Sequence, residues 1–315
     1  MIYFRNVLNL IFKIFSSCIA GFIPNKSLRH KIRDFFDYTS PYRVKKYFAL
    51  RYVPKLGDFS VDKVSEKSDY VFQCWLQGEE NAPDVVKKSI ASVKKFASGK
   101  KYVLITKDNW KDWVDIPDYI LKKFEDGLML PAHFVDVLRL CLLSEYGGYW
   151  IDATCLMTRK FPKWLDESDF FMFHSNGTFS YTLINNCFIH SDAHHYLIEA
   201  WKFLMLEFWR YENRVYNYFD SHFIFVAMIE NDERAKAEFI KMPKVFQTET
   251  HTLLSLWYKE FDEKKFKEIL ANSFIHKLTY KVDKRKLRKN SNVKHSFCDA
   301  FIKSDFDYIL KCSPR

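Results

Sequence analysis

Asp136, Arg139 and Asp152 stand in a largely apolar stretch, residues 133–154, which reads HFVDVLRLCLLSEYGGYWIDAT. From Phe134 to Leu143 only Asp136 and Arg139 are polar. A helix that is apolar all round is buried, and charges inside it are costly unless each has a partner. Asp152 follows Tyr149-Trp150-Ile151, which reads as a short buried strand. In open α/β sheets, ligands gather at the carboxyl ends of strands. Two carboxylates and a guanidinium aimed at one cleft are suited to holding hydroxyl groups in fixed orientation. Each piece also has a bland reading. Asp136 and Arg139 at i, i+3 can satisfy each other as a core ion pair. Gly147-Gly148 can be only a helix stop, and Asp152 only a turn residue. Their coincidence in one helix-turn-strand unit is what favours a site.

The elements that must position these residues follow from the pattern. The Asp136 helix ends at Gly147-Gly148, two of only eight glycines, where the backbone must turn left-handed. Tyr149 and Trp150 alternate across the next strand, so only one of them can face a ligand. Strands are expected at 70–75, 101–106, 170–174 and 186–190. Helices are expected at 83–96, 117–124, 195–209, 219–229 and 260–271, the first opening on Pro83. Alternating strands and helices predict an α/β fold with a mainly parallel central sheet.

D-x-x-R followed by L-x-x-x-Y-G-G-x-W-x-D-A-T, from Asp136 to Thr154, resembles the capsular polysaccharide synthesis glycosyltransferases. These are related to glycosyltransferase family 32 and, more distantly, to the large clostridial glucosylating toxins. Val71-Phe-Gln-Cys-Trp-Leu-Gln-Gly78, followed by residues 79–83 (EENAP), is similar to the opening strand of that family. A weaker match is Phe274-Ile-His-Lys-Leu-Thr-Tyr280. The resemblance implies a GT-A-like fold that binds a nucleotide sugar. It implies that Asp136 and Arg139 hold the donor sugar's hydroxyls and that Trp75 lies against the base. Asp152 would be the first aspartate of a D-x-D motif, facing the ribose and a metal-bound diphosphate, and with Asp136 and Arg139 forms the catalytic group. Gln77, Gly148 and Thr154 fall inside the matched motifs and join the expected donor site. Thr154 departs from the pattern, standing where the last aspartate of D-x-D ligates a divalent cation. A hydroxyl is a poorer ligand for Mg²⁺ or Mn²⁺, which leaves metal dependence open. Asp152 and His276 are the candidate ligands, with a surface role as the alternative for His276. Retention of anomeric configuration is likewise implied by the resemblance alone.

Nucleotide-sugar transfer asks for these residue types on its own terms. Charge builds on the leaving diphosphate, so a cation must already stand beside it. A tryptophan face stacks any base. His222, at the start of an aromatic helix, is a candidate for the acceptor side, as are His190, His194, His195 and His251. A structural role is the ordinary alternative for each.

The 315 residues include 31 Phe and 18 Tyr, enough for one large core. The reading divides them into a membrane-associating segment at 1–33, a connector at 34–68, a catalytic domain at 69–282 and a basic tail at 283–315. Seven cysteines without metal spacing or an even framework point to a reducing compartment. Phe4, Leu8, Ile11, Phe15, Ile19 and Phe22 recur at helical spacing before Lys26, Arg29, Lys31 and Arg33. That pattern fits a helix lying in an anionic membrane interface on the cytoplasmic face, or else an ordinary docking helix. A net charge of +10 suits diphosphates or anionic lipid, and no nucleic-acid motif accompanies it. The expected partners are a UDP-linked sugar donor, a lipid-linked saccharide acceptor and the membrane surface. Alternatives are a sugar-phosphate transferase and a degenerate, non-catalytic membrane scaffold.

Overall fold

The computed structural model describes residues 39–281, 283–304 and 306–312. It also describes Ile11, Ile14, Phe15, Cys18, Ile19, residues 21–25, Leu28, Ile32 and Asp37. The elements run α1 (Pro41–Arg51), β1 (Tyr70–Cys74), α2 (Asp84–Phe96), β2 (Lys101–Ile105), α3 (Asp118–Glu125) and α4 (Pro131–Tyr146). Then come β3 (Gly148–Ile151), β4 (Cys155–Met157), α5 (Lys163–Glu167), β5 (Phe170–His174) and β6 (Ile184–Ser191). The chain continues through α6 (Tyr196–Tyr211), α7 (Asp220–Asn231), α8 (Glu233–Lys241), α9 (Thr248–Ser255), α10 (Glu263–Asn272) and β7 (Ile275–Lys277). It closes with α11 (Lys284–Lys289), α12 (Phe297–Lys303) and α13 (Phe306–Cys312).

The central sheet has the order β2-β1-β3-β6-β5. Strands β2, β1 and β3 are parallel neighbours, as the alternating pattern predicts. The expectation of a mainly parallel sheet needs amending at β6, which runs antiparallel to both β3 and β5. Only residues 175–183 join β5 to β6, too few for the crossover that parallel pairing requires. A second, two-stranded sheet pairs β4 with β7 and sets Cys155 opposite Lys277.

Helix α4 is buried from His133 to Ser144 except at half-buried Val135, as its apolar composition demands. Pro131 opens it where a missing N–H costs nothing. Gly147 and Gly148 both take positive φ, 61° and 88°. A Cβ on Gly148 would overlap the Tyr70 carbonyl of β1. The second glycine therefore lets β3 enter the sheet beside β1, which is more than a helix stop requires.

Within the stretch read as a connector, α1 buries Val44 and Phe48. Tyr52 donates to Glu212 at 3.0 Å, and Tyr216 donates to the same carboxylate at 2.9 Å. The basic C-terminal stretch contributes Phe297, Phe301 and Ile309 to a smaller core with Trp257 and Phe266. Most of residues 1–33, the expected membrane-associating segment, lies outside the described residues. Among those described there, Ile11, Ile14, Phe15, Ile19, Phe22 and Leu28 are exposed. No helix of the described residues is long and apolar enough to cross a membrane.

Gly148→Ala combines an unfavourable φ with a backbone clash. It is expected to cost about 3 kcal/mol or more in stability, read by urea unfolding. Wild-type stability in that variant would remove the close-approach role.

Candidate active site

A cavity of about 490 Å³ opens where the carboxyl ends of β1 and β3 meet the start of α4 and the chain after β7. Asp136, Arg139, Trp150, Asp152, Trp75 and Lys277 all line it. Four of these form one line of alternating charge. The Arg139 Nη2 lies 3.0 Å from Asp136 Oδ1, and its Nη1 lies 3.7 Å from Asp152 Oδ1. On the far side of Asp152, the Lys277 Nζ donates to Oδ2 at 2.6 Å. The same ammonium donates to the Thr154 hydroxyl at 2.8 Å.

Each member is held by backbone or packing. The Asp152 N–H donates to the Cys187 carbonyl of β6 at 2.8 Å, and the Trp150 indole donates to Asp152 Oδ1 at 3.0 Å. The Arg139 guanidinium lies over the Trp150 ring, 4.9 Å from its centroid, and Arg139 Nη1 donates to the Asn186 carbonyl at 2.7 Å. The Asn186 amide in turn donates to Asp136 at 3.3 Å. Trp150 is thus the residue of the alternating pair that faces the cavity. Tyr149 points the other way, stacking on His190 and donating to Asp166.

The electrostatics differ between the two aspartates. Burial pushes the Asp136 carboxyl above its usual range despite the neighbouring Arg139. Burial acts on Asp152 in the same sense, but the Lys277 ammonium and the Arg139 guanidinium outweigh it and hold that carboxyl low. Burial likewise opposes the charge on Lys277, and the attraction of Asp152 reverses it, so the ammonium is held more firmly than in water. His222 also lines the cavity, and burial beside Arg139 lowers its imidazole to about 3, so it stays neutral. The Cys74 thiol, at the end of β1, is pushed up to about 12 by burial.

Several cavity atoms are buried with no hydrogen-bond partner among the described residues. They are Trp75 Nε1, both ring nitrogens of His133, Arg139 Nε and His222 Nδ1. Buried polar groups are normally satisfied, so a cluster of unsatisfied ones around one cavity marks a place for a polar ligand. Trp75 meets Tyr280 edge-on, with centroids 5.2 Å apart.

The residues expected from sequence divide clearly. Trp75, Gln77, Asp136, Arg139, Asp152 and Thr154 come together around the cavity. Gly148 does not line it; its contribution is the approach of β3 to β1. His276 does not line it either. It is fully buried, and its Nε2 faces the Ser273 carbonyl at 3.1 Å. Successive residues of a strand point to opposite faces, so placing Lys277 in the cavity turns His276 away from Asp152. Of the other histidines weighed for the acceptor side, His190, His194, His195 and His251 lie elsewhere. The residues that sequence reasoning passed over are Lys277, Asn186, His133 and Tyr280. Lys277 and Tyr280 fall inside the weak motif at 274–280.

These side chains suit a divalent cation poorly. Asp136 and Asp152 are the carboxylates lining the cavity among the described residues; the first is engaged by Arg139 and Oδ2 of the second by Lys277. No group of three His, Cys, Asp or Glu residues converges among the described residues. Hard divalent ions want several oxygen ligands, carboxylates foremost.

The family model described as capsular polysaccharide synthesis protein matches residues 25–297. No curated protein matches the chain. Among solved structures it is similar to one described as "PaToxG Glycosyltransferase", at 15% identity and a TM-score of 0.39. That match covers 88% of this chain and 99% of the other, a likeness too loose to inform fold or activity.

Because the Asp152 carboxyl sits below its unfolded value of about 3.9, its stabilisation is complete above that value and fades as pH falls through the lower folded one. Asp152→Asn is therefore expected to be less stable than wild type at pH 7, with the gap closing below about pH 4. Urea unfolding across that range measures it, and a gap independent of pH would contradict the ion-pair assignment.

Proposed function

The chain belongs to the capsular polysaccharide synthesis family, and on that premise we propose that it is a glycosyltransferase. It moves a hexose from a nucleoside diphosphate donor, UDP-linked, onto a lipid-linked precursor of a surface polysaccharide. The observation that carries this reading is the convergence of Asp136, Arg139, Asp152 and Trp75 on one cavity with unsatisfied polar atoms. Its support is chemical. Asp136 and the forked guanidinium of Arg139 offer an acceptor and donors at fixed angles, which sugar hydroxyls need. Asp152, at the carboxyl end of β3, sits where α/β sheets bind nucleotides. Trp75, with Tyr280 against its edge, offers an apolar face to a base. Three parallel strands leading to these residues support a GT-A-like fold for residues 69–282.

Both cavity aspartates are ion-paired, Asp136 to Arg139 and Asp152 to Lys277. Asp152, held low by Lys277 and Arg139, is too weakly basic to serve as a general base, which supports transfer with retention, the acceptor attacking from the side the diphosphate leaves. Association with the membrane draws its support from the exposed apolar residues Ile11, Phe15, Ile19 and Phe22, which recur at helical spacing before a basic stretch, and the cytoplasmic side from seven cysteines without a disulfide.

A panel of nucleotide sugars scored for hydrolysis and transfer tests the activity. One donor is expected to release its nucleoside diphosphate. Release of the monophosphate would assign sugar-phosphate transfer instead, and binding without turnover would assign a scaffold. Arg139→Lys is expected to raise the donor KM by about tenfold, because an ammonium cannot reproduce the planar fork. Unchanged kinetics would sink the sugar contact. Deleting residues 1–23 is expected to release the folded protein from anionic vesicles in a sedimentation assay. If the truncated chain still pellets with them, the membrane anchor lies elsewhere.

A further inference from the structure

We infer that the Lys277 ammonium does the work of a divalent cation in this site, so that donor binding and transfer proceed without metal. The inference rests on the glycosyltransferase reading and deepens it. Three observations carry it.

The first is position. The ammonium bridges Asp152 Oδ2 at 2.6 Å and Thr154 Oγ1 at 2.8 Å, spanning the first and last residues of the Asp-Ala-Thr motif. A cation bound between those two residues would have to occupy the same point. The second is anchorage. Lys277 ends β7, paired across from Cys155 of β4, and the next residue's N–H donates to the Thr154 carbonyl at 2.9 Å. The lysine stem therefore starts from a strand hydrogen-bonded to the very segment it bridges. A metal entering there would have to expel a fixed positive charge and would gain one carboxylate and one hydroxyl. The third is valence. A lysine ammonium has three N–H donors, and Asp152 and Thr154 use two. The third has no partner among the described residues and is available to a phosphate oxygen in a cavity also lined by Arg139.

The chemistry follows from this charge. As transfer proceeds, the bond between the anomeric carbon and the β-phosphate oxygen breaks, and its electron pair stays on that oxygen. The acceptor oxygen bonds to the anomeric carbon, and its proton passes to the released diphosphate. Lys277 keeps its own proton throughout and stabilises the growing negative charge by a charge-assisted hydrogen bond, preorganised by Asp152 and Thr154. Thr154 is then the expected residue at its position. A second aspartate would over-neutralise the ammonium and repel the diphosphate, whereas a hydroxyl accepts one hydrogen bond and leaves the charge intact.

The test is calorimetric titration of the full-length protein with a panel of UDP, GDP and ADP, in excess EDTA and again with Mn²⁺. The wild type is expected to bind one of them with the same affinity in both conditions. Lys277→Met is expected to lose at least tenfold in that affinity, and Lys277→Arg to retain most of it. The double variant Lys277→Ala with Thr154→Asp, which restores an acidic pair, is expected to bind only with Mn²⁺. Wild-type binding that requires Mn²⁺ overturns the inference, as does a folded Lys277→Met protein that binds like wild type. The wild-type comparison stands even where the Met variant does not fold. A wild type that binds none of the three in either condition overturns the nucleotide-sugar reading itself, and this inference with it.

Discussion

A line of four alternating charges, Asp136–Arg139–Asp152–Lys277, ties together the parts of the molecule that matter most. Its members come from the buried helix α4, the end of β3 and the end of β7, so it joins the central sheet to the small second sheet. Isolated charges at these depths would be strongly destabilising. Paired in sequence, each offsets the desolvation of the next. The line sums to neutrality, yet both its ends, Asp136 and Lys277, line the cavity. Much of the local structure serves to keep it in place. Trp150 provides a face for Arg139 and a donor for Asp152, and β6 supplies carbonyls to both.

The antiparallel course of β6 is what makes those carbonyls available. A parallel strand would bring its carboxyl end to this edge of the sheet. β6 instead begins there, so Asn186 and Cys187 arrive beside Asp152 with main-chain oxygens facing the charged line. Gly148 makes the matching adjustment on the other side, letting β3 close on β1 so that Trp75 and Asp152 border one cavity.

How much of this is legible in the sequence depends on the range of the interaction. The Asp136–Arg139 pair, the glycine turn and Asp152 lie within one helix-turn-strand unit, and local pattern suffices to bring them together. Trp75 is found through its motif, and the helices through their apolar periodicity. Lys277 is missed because its meaning rests on the register of β7 against β4, a pairing of two three-residue strands far apart in the chain. Chemical type singles out His276 as a candidate ligand, but the pleat of β7 turns the histidine inward and the lysine toward Asp152. His133 and Asn186 carry no local signal at all. The mixed sheet turns on one short connection, since the strand-helix rhythm that predicts parallel pairing is missing between β5 and β6.

The cysteines follow from the same burial. Cys74 borders the cavity, yet its thiol is raised to about 12, and Cys141 within α4 is raised equally. Neither furnishes a thiolate at neutral pH, so alkylating reagents meet no nucleophile in the cleft. Cys18, by contrast, is exposed on the N-terminal segment. Labelling by maleimides or iodoacetamide is therefore expected at that outlying segment, while Cys74 in the cavity stays silent to them.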